Sequence, residues 1–428
     1  MSGFSFRRYF SPELRSKRWL VFSALGGIFV TLAFVIIALV LFLIAPAGLA
    51  TIATFDPLGI LFSGLSAALL GYFWLQKGFQ HALHLLTLRD EDAPEKLREV
   101  MFRHGKSEKL PHLVSVGGGS GLSSILKGLK ELPLEITAVV TVSDDGGSSG
   151  RLRKDMQILP PGDIRNCLVA LSRSESLLSR LFQYRFQESG EFSGHSFGNL
   201  FIAAMTDVLG DFSSAVREAS NILAIKGRVL PVTCDNVQLT ATFADGSEIS
   251  GESAITAAQK RITGIRLSPE NALANPEALS AIDRADLIVL GPGSLFTSII
   301  PNLLVPEITD RINRSSAKIV YVCNVMTQPG ETDGFTAHDH VQAILEKSPL
   351  KRIDIAVVNC KRAARSLMSK YEEKGQFWVP PTVTPIEQRG IRVITGDFLS
   401  ETNLVRHDSM LIASTVAEII LKSRFRNP

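Results

Sequence analysis

Leu113-Val-Ser-Val-Gly-Gly-Gly-Ser-Gly-Leu122 decides how this chain folds. Leu113–Val116 is a short apolar run of strand type, and Gly117 stops it. The turn runs to Gly121, and from Leu122 to Leu132 the apolar residues recur at helical spacing. Strand, glycine turn and helix make the first half of a βαβ unit. The β-branched run Ile136–Val142 supplies the next strand. Further on, Asp286–Leu290 ends in Gly291-Pro-Gly293, and Lys318–Cys323 and Ile353–Val358 flank a helical stretch, His338–Glu346. Ile391–Ile394 adds a late strand. This alternation predicts an α/β fold: a mainly parallel sheet with helices on both faces. Only Val229–Gly251 departs from it, with short alternating runs around Asp245-Gly246, and reads as a small antiparallel insertion.

Ligands of such sheets bind at the carboxyl ends of the strands, where the unusual loops of this chain fall. Gly117, Gly118, Gly119, Ser120 and Gly121 let a phosphate approach the backbone at a helix N-terminus. The loop lacks the Gly-Lys-Ser/Thr of a Walker A motif, and Leu122 stands where a dinucleotide fingerprint requires its third glycine. A tight packing turn is the alternative. Val140-Thr-Val-Ser-Asp-Asp-Gly-Gly-Ser-Ser-Gly-Arg-Leu-Arg153 then brings Asp144, Asp145, Ser148, Arg151 and Arg153 into one short segment. Adjacent acids can hold hydroxyls, a magnesium ion bridging phosphates, or a proton in transit. Asp144 is the candidate magnesium ligand, and Asp144 and Asp145 are the candidate catalytic groups. Side-chain alternation turns one acid to the ligand while the other braces the loop; a solvated Asx-turn is the bland reading.

Pro160-Pro-Gly-Asp-Ile-Arg-Asn166 places Asp163 as an expected N-cap of a helix over Ile164–Leu171, with Arg165 and Asn166 in its first turn to meet phosphoryl oxygens or a base edge. Gly194-His-Ser-Phe-Gly-Asn199 sets His195, Ser196 and Asn199 before an apolar helix, Leu200–Val208. Neighbouring Ser and His rarely pair productively, and the Gly-x-Ser-x-Gly elbow is absent, so capping or ligand contact is expected rather than nucleophilic catalysis. Gly291-Pro-Gly-Ser-Leu-Phe-Thr-Ser298 is a second glycine turn, offering Gly291, Gly293, Ser294 and Thr297. Asn324, Thr327 and Gln328 close another strand with groups suited to a base or sugar. Asn359 and Cys360 are weaker candidates.

The chain has 428 residues and a formal net charge of +3, which leaves no electrostatic signature of nucleic-acid binding. Four scattered cysteines form no CxxC pair, which argues against a zinc ribbon or disulfide framework. Mean hydropathy is +0.18, and the excess lies at the N-terminus. Trp19–Ala45 and Leu58–Leu75 are uncharged apolar runs, read as a transmembrane hairpin over residues 1–76. Arg7, Arg8, Arg15, Lys17 and Arg18 before it and Lys77 and Arg89 after it place both ends in the cytoplasm. Residues 77–110 then read as a helical stalk, whose His81 and His84 lack a third metal ligand, and 111–428 as the ligand-binding domain. The expected location is the cytoplasmic membrane, multi-pass, with this domain facing the cytoplasm.

Val116–Leu122, Thr141–Arg151, Pro160–Asn166, Gly194–Asn199, Gly291–Ser298 and Asn324–Thr332, in this order, resemble the motifs of the gluconeogenesis factor family, which is related to 2-phospho-L-lactate transferase. The resemblance spans nearly all of residues 112–400. It implies a Rossmann-like domain and, for gluconeogenesis factors, binding of a UDP-sugar such as UDP-N-acetylglucosamine, with roles in carbon metabolism, cell shape and envelope synthesis. For the transferase branch it implies magnesium-dependent transfer of a phospholactyl group from a guanylyl donor to a deazaflavin. The Ser-Asp-Asp-Gly-Gly-Ser-Ser-Gly-Arg form looks more like the first branch, and the hairpin departs from the usual soluble member. A nicotinamide-dependent oxidoreductase is the third, disfavoured reading. A homo-oligomer is an open expectation.

Overall fold

The computed structural model describes residues 93–103, 109–173, 177–187, 190, 192–400 and 404–424. They belong to one compact unit, Asp90–Pro428. The apolar runs Trp19–Ala45 and Leu58–Leu75 lie outside the described residues. Among the described residues no helix is long and apolar enough to cross a membrane. The stalk reading is represented only by a helix at Ala93–Arg103.

The strands are β1 (His112–Gly117), β2 (Glu135–Val140), β3 (Arg228–Pro231), β4 (Gln238–Phe243), β5 (Glu248–Ser250), β6 (Ile262–Ser268), β7 (Leu287–Leu290), β8 (Lys318–Val322), β9 (Ile355–Asn359) and β10 (Arg392–Gly396). Seven of them form one sheet in the order β10-β9-β8-β7-β1-β2-β3, and every pairing in it is parallel. Such strands are covered on both faces. Accordingly β1, β7 and β9 are buried along their whole length, and Leu287–Leu290 and Ile319–Val322, Tyr321 included, are wholly enclosed.

Strand order places the site. The chain builds outward from β1 through β2 to β3, then returns to the other side of β1 and builds β7 to β10. The direction reverses between β1 and β7, and open parallel sheets leave a crevice at such a reversal. Both glycine turns leave the carboxyl ends of these two strands. Gly291 N–H donates to Val116 O at 2.9 Å, and Thr141 N–H to Gly117 O at 3.0 Å, so the three loops start side by side.

The antiparallel insertion exists but is displaced from its expected bounds. Val229 belongs to β3 and pairs in parallel with Ala138, because its buried run continues the large sheet. The insertion is the sheet β5-β4-β6, with Asp245 and Gly246 in its hairpin and Gly246 at φ 80°. Helix Glu252–Ala258 carries it back toward the carboxyl ends of the large sheet.

Candidate functional site

The two glycine turns close on each other. Helix Gly119–Leu129 begins inside the first, with Gly118 as its extended N-cap residue and no side-chain cap. A Cβ on Gly121 would lie 2.5 Å from Pro292 O and 2.8 Å from Gly293 Cα. Glycine is needed there so that one loop backbone can lie on the other. Asn324 ties down the second loop: its Oδ1 accepts from Gly293 N–H at 3.1 Å and its Nδ2 donates to Gly293 O at 2.7 Å. Gln328 Nε2 donates to Ser294 Oγ at 2.7 Å.

A cleft of about 260 Å³ opens between these loops. Gly118–Gly121, Ser124, Pro292–Ser294, Ser298, Asn324, Thr327 and Gln328 line it. Val325, Met326, Tyr371, Gln376, Val405, Arg406 and His407 complete the lining. Val325, Met326 and Val405 belong to a small apolar cluster separate from the main core, with Tyr371 packed against it. Arg406 is the one formally charged side chain on this lining. His407 is buried, and burial lowers its pKa to about 4 although its ring donates to the Cys323 backbone. It is therefore a neutral imidazole at physiological pH. The cleft thus carries hydroxyls, amides, backbone N–H groups and a single guanidinium.

The acids and the His195 motif form a second group, which meets the first at Gly118. A Cβ on Gly118 would lie 2.6 Å from Asp163 Oδ2, 2.7 Å from Thr141 Cγ2 and 3.4 Å from Ser298 Cβ. Asp163 is not an N-cap. Helix Gly162–Leu171 starts two residues earlier than expected, after Pro161, and the Asp163 carboxylate reaches across to the Gly119 N–H. Burial, then repulsion from Asp144, raises its pKa to about 7.

The adjacent acids divide their work. Asp145 Oδ1 accepts from Ser253 N–H at 2.8 Å, bracing its loop on the insertion. Asp144 Oδ1 closes an Asx-turn on Gly146 N–H at 2.8 Å, while its Oδ2 lies toward Gly162. Two acids that the motif reading missed join them. Glu252 is raised to about 9, by burial first and then by Asp144, Asp163, Glu331 and Asp145, and its Oε2 is buried without a partner. Glu331, 3% exposed, is raised by burial to about 7. Glu252 arrives on the insertion, and Glu331 follows an irregular turn, so neither carries a periodic signal.

Ser148 Oγ lies 3.0 Å from His195 Nδ1, accepts from Asn199 Nδ2 at 3.2 Å and lies 3.4 Å from Ser196 N. With donors on two sides, its proton is directed to His195. Burial, then the nearby Arg151 guanidinium, holds His195 below the usual imidazole range. Ser196 caps helix Phe197–Leu209 through the Asn199 N–H at 3.2 Å. Arg165 donates to Ser196 Oγ, and to Asn166 Oδ1 at 2.7 Å. Arg151 is exposed and donates to Ser193 O at 2.7 Å, and Arg153 bonds Asn236 and Val237. Neither Arg151 nor Arg165 lines the glycine cleft.

Of the second loop's hydroxyls, Ser294 and Ser298 face the cleft. Thr297, 1% exposed, instead donates to Glu331 at 3.3 Å. The cause is the single π-turn Leu295–Ile299, which shifts the phase of the side chains. Gly117 and Gly291 hold the strand ends. Asn359 bonds Lys361 O and Phe398 N and serves its own loop.

Comparison with known proteins places this geometry. The family model for 2-phospho-L-lactate transferase CofD matches residues 113–399. A protein of Nostoc sp. called putative gluconeogenesis factor is 42% identical over 418 residues, covering 96% of this chain and 91% of its own length. The gluconeogenesis factor of Bacillus subtilis is 46% identical over 311 residues, covering 72% of this chain and 98% of its own length. A crystal structure of a Bacillus halodurans protein, 46% identical, superposes with a TM-score of 0.70 over 74% of this chain and all of its own. With the parallel sheet, the paired glycine turns and the acid loop all inside the matched region, the chain belongs to the 2-phospho-L-lactate transferase CofD family, among the relatives named gluconeogenesis factor.

Proposed function

We propose that this protein binds a nucleotide-sugar, a UDP-sugar such as UDP-N-acetylglucosamine, in the cleft between the two glycine turns. One observation carries the reading: Gly118–Gly121 and Pro292–Ser294 meet across the reversal between β1 and β7, and the cleft they line also takes in the apolar cluster of Val325, Met326 and Val405. The glycine turns suit a diphosphate, held by backbone N–H groups and by Ser294 and Ser298, with the Arg406 guanidinium of the same lining as counter-charge. The apolar lining, Met326, Val405 and Tyr371, suits the flat face of a base, with Gln328, Gln376 and Thr327 for its edge or for sugar hydroxyls. The relatives' shared name, gluconeogenesis factor, is the ground for setting such binding in carbon metabolism. The apolar runs before residue 76 would hold the domain at the cytoplasmic face of the membrane, where envelope precursors are built. Calorimetric titration of the intact chain with UDP-N-acetylglucosamine tests the proposal. Saturable binding that Arg406→Ala weakens about 10- to 100-fold supports it, and no saturable binding ends it.

A second reading, a phospholactyl transferase, is favoured by the acids. Asp144, Asp163 and Glu252 repel one another, and Glu252 Oε2 has no partner. Among the described residues no three such groups are already arranged to hold a metal. Magnesium, however, needs only one or two carboxylates beside substrate phosphates and water, so the donor set fits it. Asp144 and Asp163 would hold it, and it would neutralise charge developing on the phosphates. The chain's own part is to hold the donor phosphates on the glycine loops and to accept the acceptor's proton at Asp144. Magnesium-dependent turnover of a guanylyl donor with a deazaflavin, and no affinity for UDP-sugars, would establish this reading over the first.

A further inference from the structure

We infer that helix Ala93–Arg103 is a strap that sets the width of the ligand cleft, so that the seating of this helix and ligand binding are energetically coupled. The inference rests on the cleft reading above for its ligand arm, and on packing alone for its other arm.

Two helices carry the cleft walls, and they touch. Helix Gly119–Leu129 starts in the first glycine turn, with Gly119, Ser120, Gly121 and Ser124 on the lining. Helix Ser409–Arg424 starts one residue beyond Val405–Arg406–His407, which also line the cleft. Asp408 joins wall to helix: its Oδ1 accepts from Met410 and Leu411 N–H at 2.9 and 3.0 Å, and its own N–H donates to Phe398 O at 2.7 Å. The helices meet at Gly128, where a Cβ would lie only 2.0 Å from Ser409 O and 3.1 Å from Met410 N. Backbone rests on backbone there, so a shift of one helix is passed to the other without slack.

Helix Ala93–Arg103 spans both. It packs on helix Ser409–Arg424, with Ala93 and Leu97, one turn apart, fully buried. It is tied to the end of helix Gly119–Leu129 by Arg98 Nη2, which donates to Glu131 O at 2.7 Å. Helix Ser409–Arg424 needs the cover. Ile412, Ala413, Thr415, Val416, Ala417, Ile419 and Ile420 are buried, which is burial around most of its circumference rather than along one stripe. The strap, this helix and Arg406 all lie outside the 113–399 span of the family model.

Any ligand that draws Arg406 toward the glycine loops changes the relation between the two helices, and hence the seat of the strap. Linkage makes the effect reciprocal: what loosens the strap weakens the ligand by the same factor.

The test uses the intact chain with Leu97→Asp, which puts a carboxylate in the buried seat, Arg98→Ala, which cuts the tie to Glu131, and exposed Glu95→Gln as control. Hydrogen exchange without ligand is read first. Faster exchange at 117–124 and 405–412 in Leu97→Asp and Arg98→Ala, with the central strands unchanged, is expected. Unchanged exchange at those two segments overturns the strap. Titration with UDP-N-acetylglucosamine is read second, with a Kd rise of about fivefold or more expected in both variants. If the strap variants bind as wild type does while the exchange shows the strap released, the coupling is wrong. If wild type binds nothing, the cleft reading fails and the exchange result still decides the strap.

Discussion

Gly121→Ala is the smallest change that distinguishes a built cleft from two adjacent turns. The added Cβ meets Pro292 O at 2.5 Å and Gly293 Cα at 2.8 Å, both backbone atoms that no rotamer change can move. Relief requires the loops to part by nearly 1 Å, the difference between 2.5 Å and the 3.4 Å at which ordinary contact begins. Two effects on stability oppose each other. Alanine in this helix gains up to about 1 kcal/mol over glycine, whereas overpacking costs about 1–3 kcal/mol. The net loss is therefore about 0–3 kcal/mol, and melting is the weaker readout because the two effects offset. Binding has no such offset. Loss of one hydrogen bond from a displaced loop N–H to a phosphate costs about 1.5–3 kcal/mol, roughly 10- to 150-fold in Kd. Calorimetric titration with UDP-N-acetylglucosamine reads this. Gly264→Ala is the control, since its Cβ finds ordinary contact at 3.6 Å on Thr242 and lies on β6. Wild-type affinity in Gly121→Ala would show that the two loops do not hold one ligand, and the reasoning would fall with it.

Other outcomes follow from the same geometry. Arg406→Ala should weaken the diphosphate ligand about 10- to 100-fold with little change in melting temperature, because the side chain is exposed; Arg406→Lys should recover only part of the affinity in the same titration. Glu331→Gln should alter the pH dependence of stability. Burial raises the Glu331 carboxyl from 4.5 to about 7, so the folded state binds more protons than the unfolded one. Its contribution is then full below pH 4.5 and is lost as pH rises through 7. Melting temperature measured across that window in a chelator should fall less steeply in the variant, and an unchanged slope would refute the assignment. Asp144→Asn and Asp163→Asn should each weaken Mn²⁺ binding followed by electron paramagnetic resonance, if the transferase reading holds. Gly128→Ala should lower stability by about 1–3 kcal/mol in urea unfolding, since Ser409 O leaves its Cβ no room.

Periodicity made the parallel sheet legible. Leu113–Val116, Leu287–Leu290 and Ile319–Val322 are apolar but for Ser115 and the Tyr321 hydroxyl, as strands buried on both faces tend to be. Glycine turns after strands marked Gly118–Gly121 and Gly293–Ser294, and both loops line the cleft. That they would face each other was not legible, because it depends on β7 returning beside β1, a fact of topology rather than of local pattern. Direction within a loop was also hidden. Thr297 faces Glu331 because a π-turn shifts its phase. Asp163 stretches to Gly119 because Pro161 leads straight into the helix at Gly162. Val229 alternates with its neighbours like a hairpin strand, yet the edge of the large sheet claims it. Arg406 and His407 sit in a stretch with no glycine, no repeat and no motif, so only the folded chain brings them into one lining with the glycine turns.

One titration decides between the readings of the site. The intact chain is titrated by calorimetry with UDP-N-acetylglucosamine, GDP and NADH, each with and without magnesium. A cleft lined by glycine turns, one guanidinium and an apolar cluster predicts saturable binding of the UDP-sugar, without need of magnesium, that Arg406→Ala weakens about 10- to 100-fold. Binding of GDP alone, and only with magnesium, would contradict it and assign the site to phosphoryl-linked transfer.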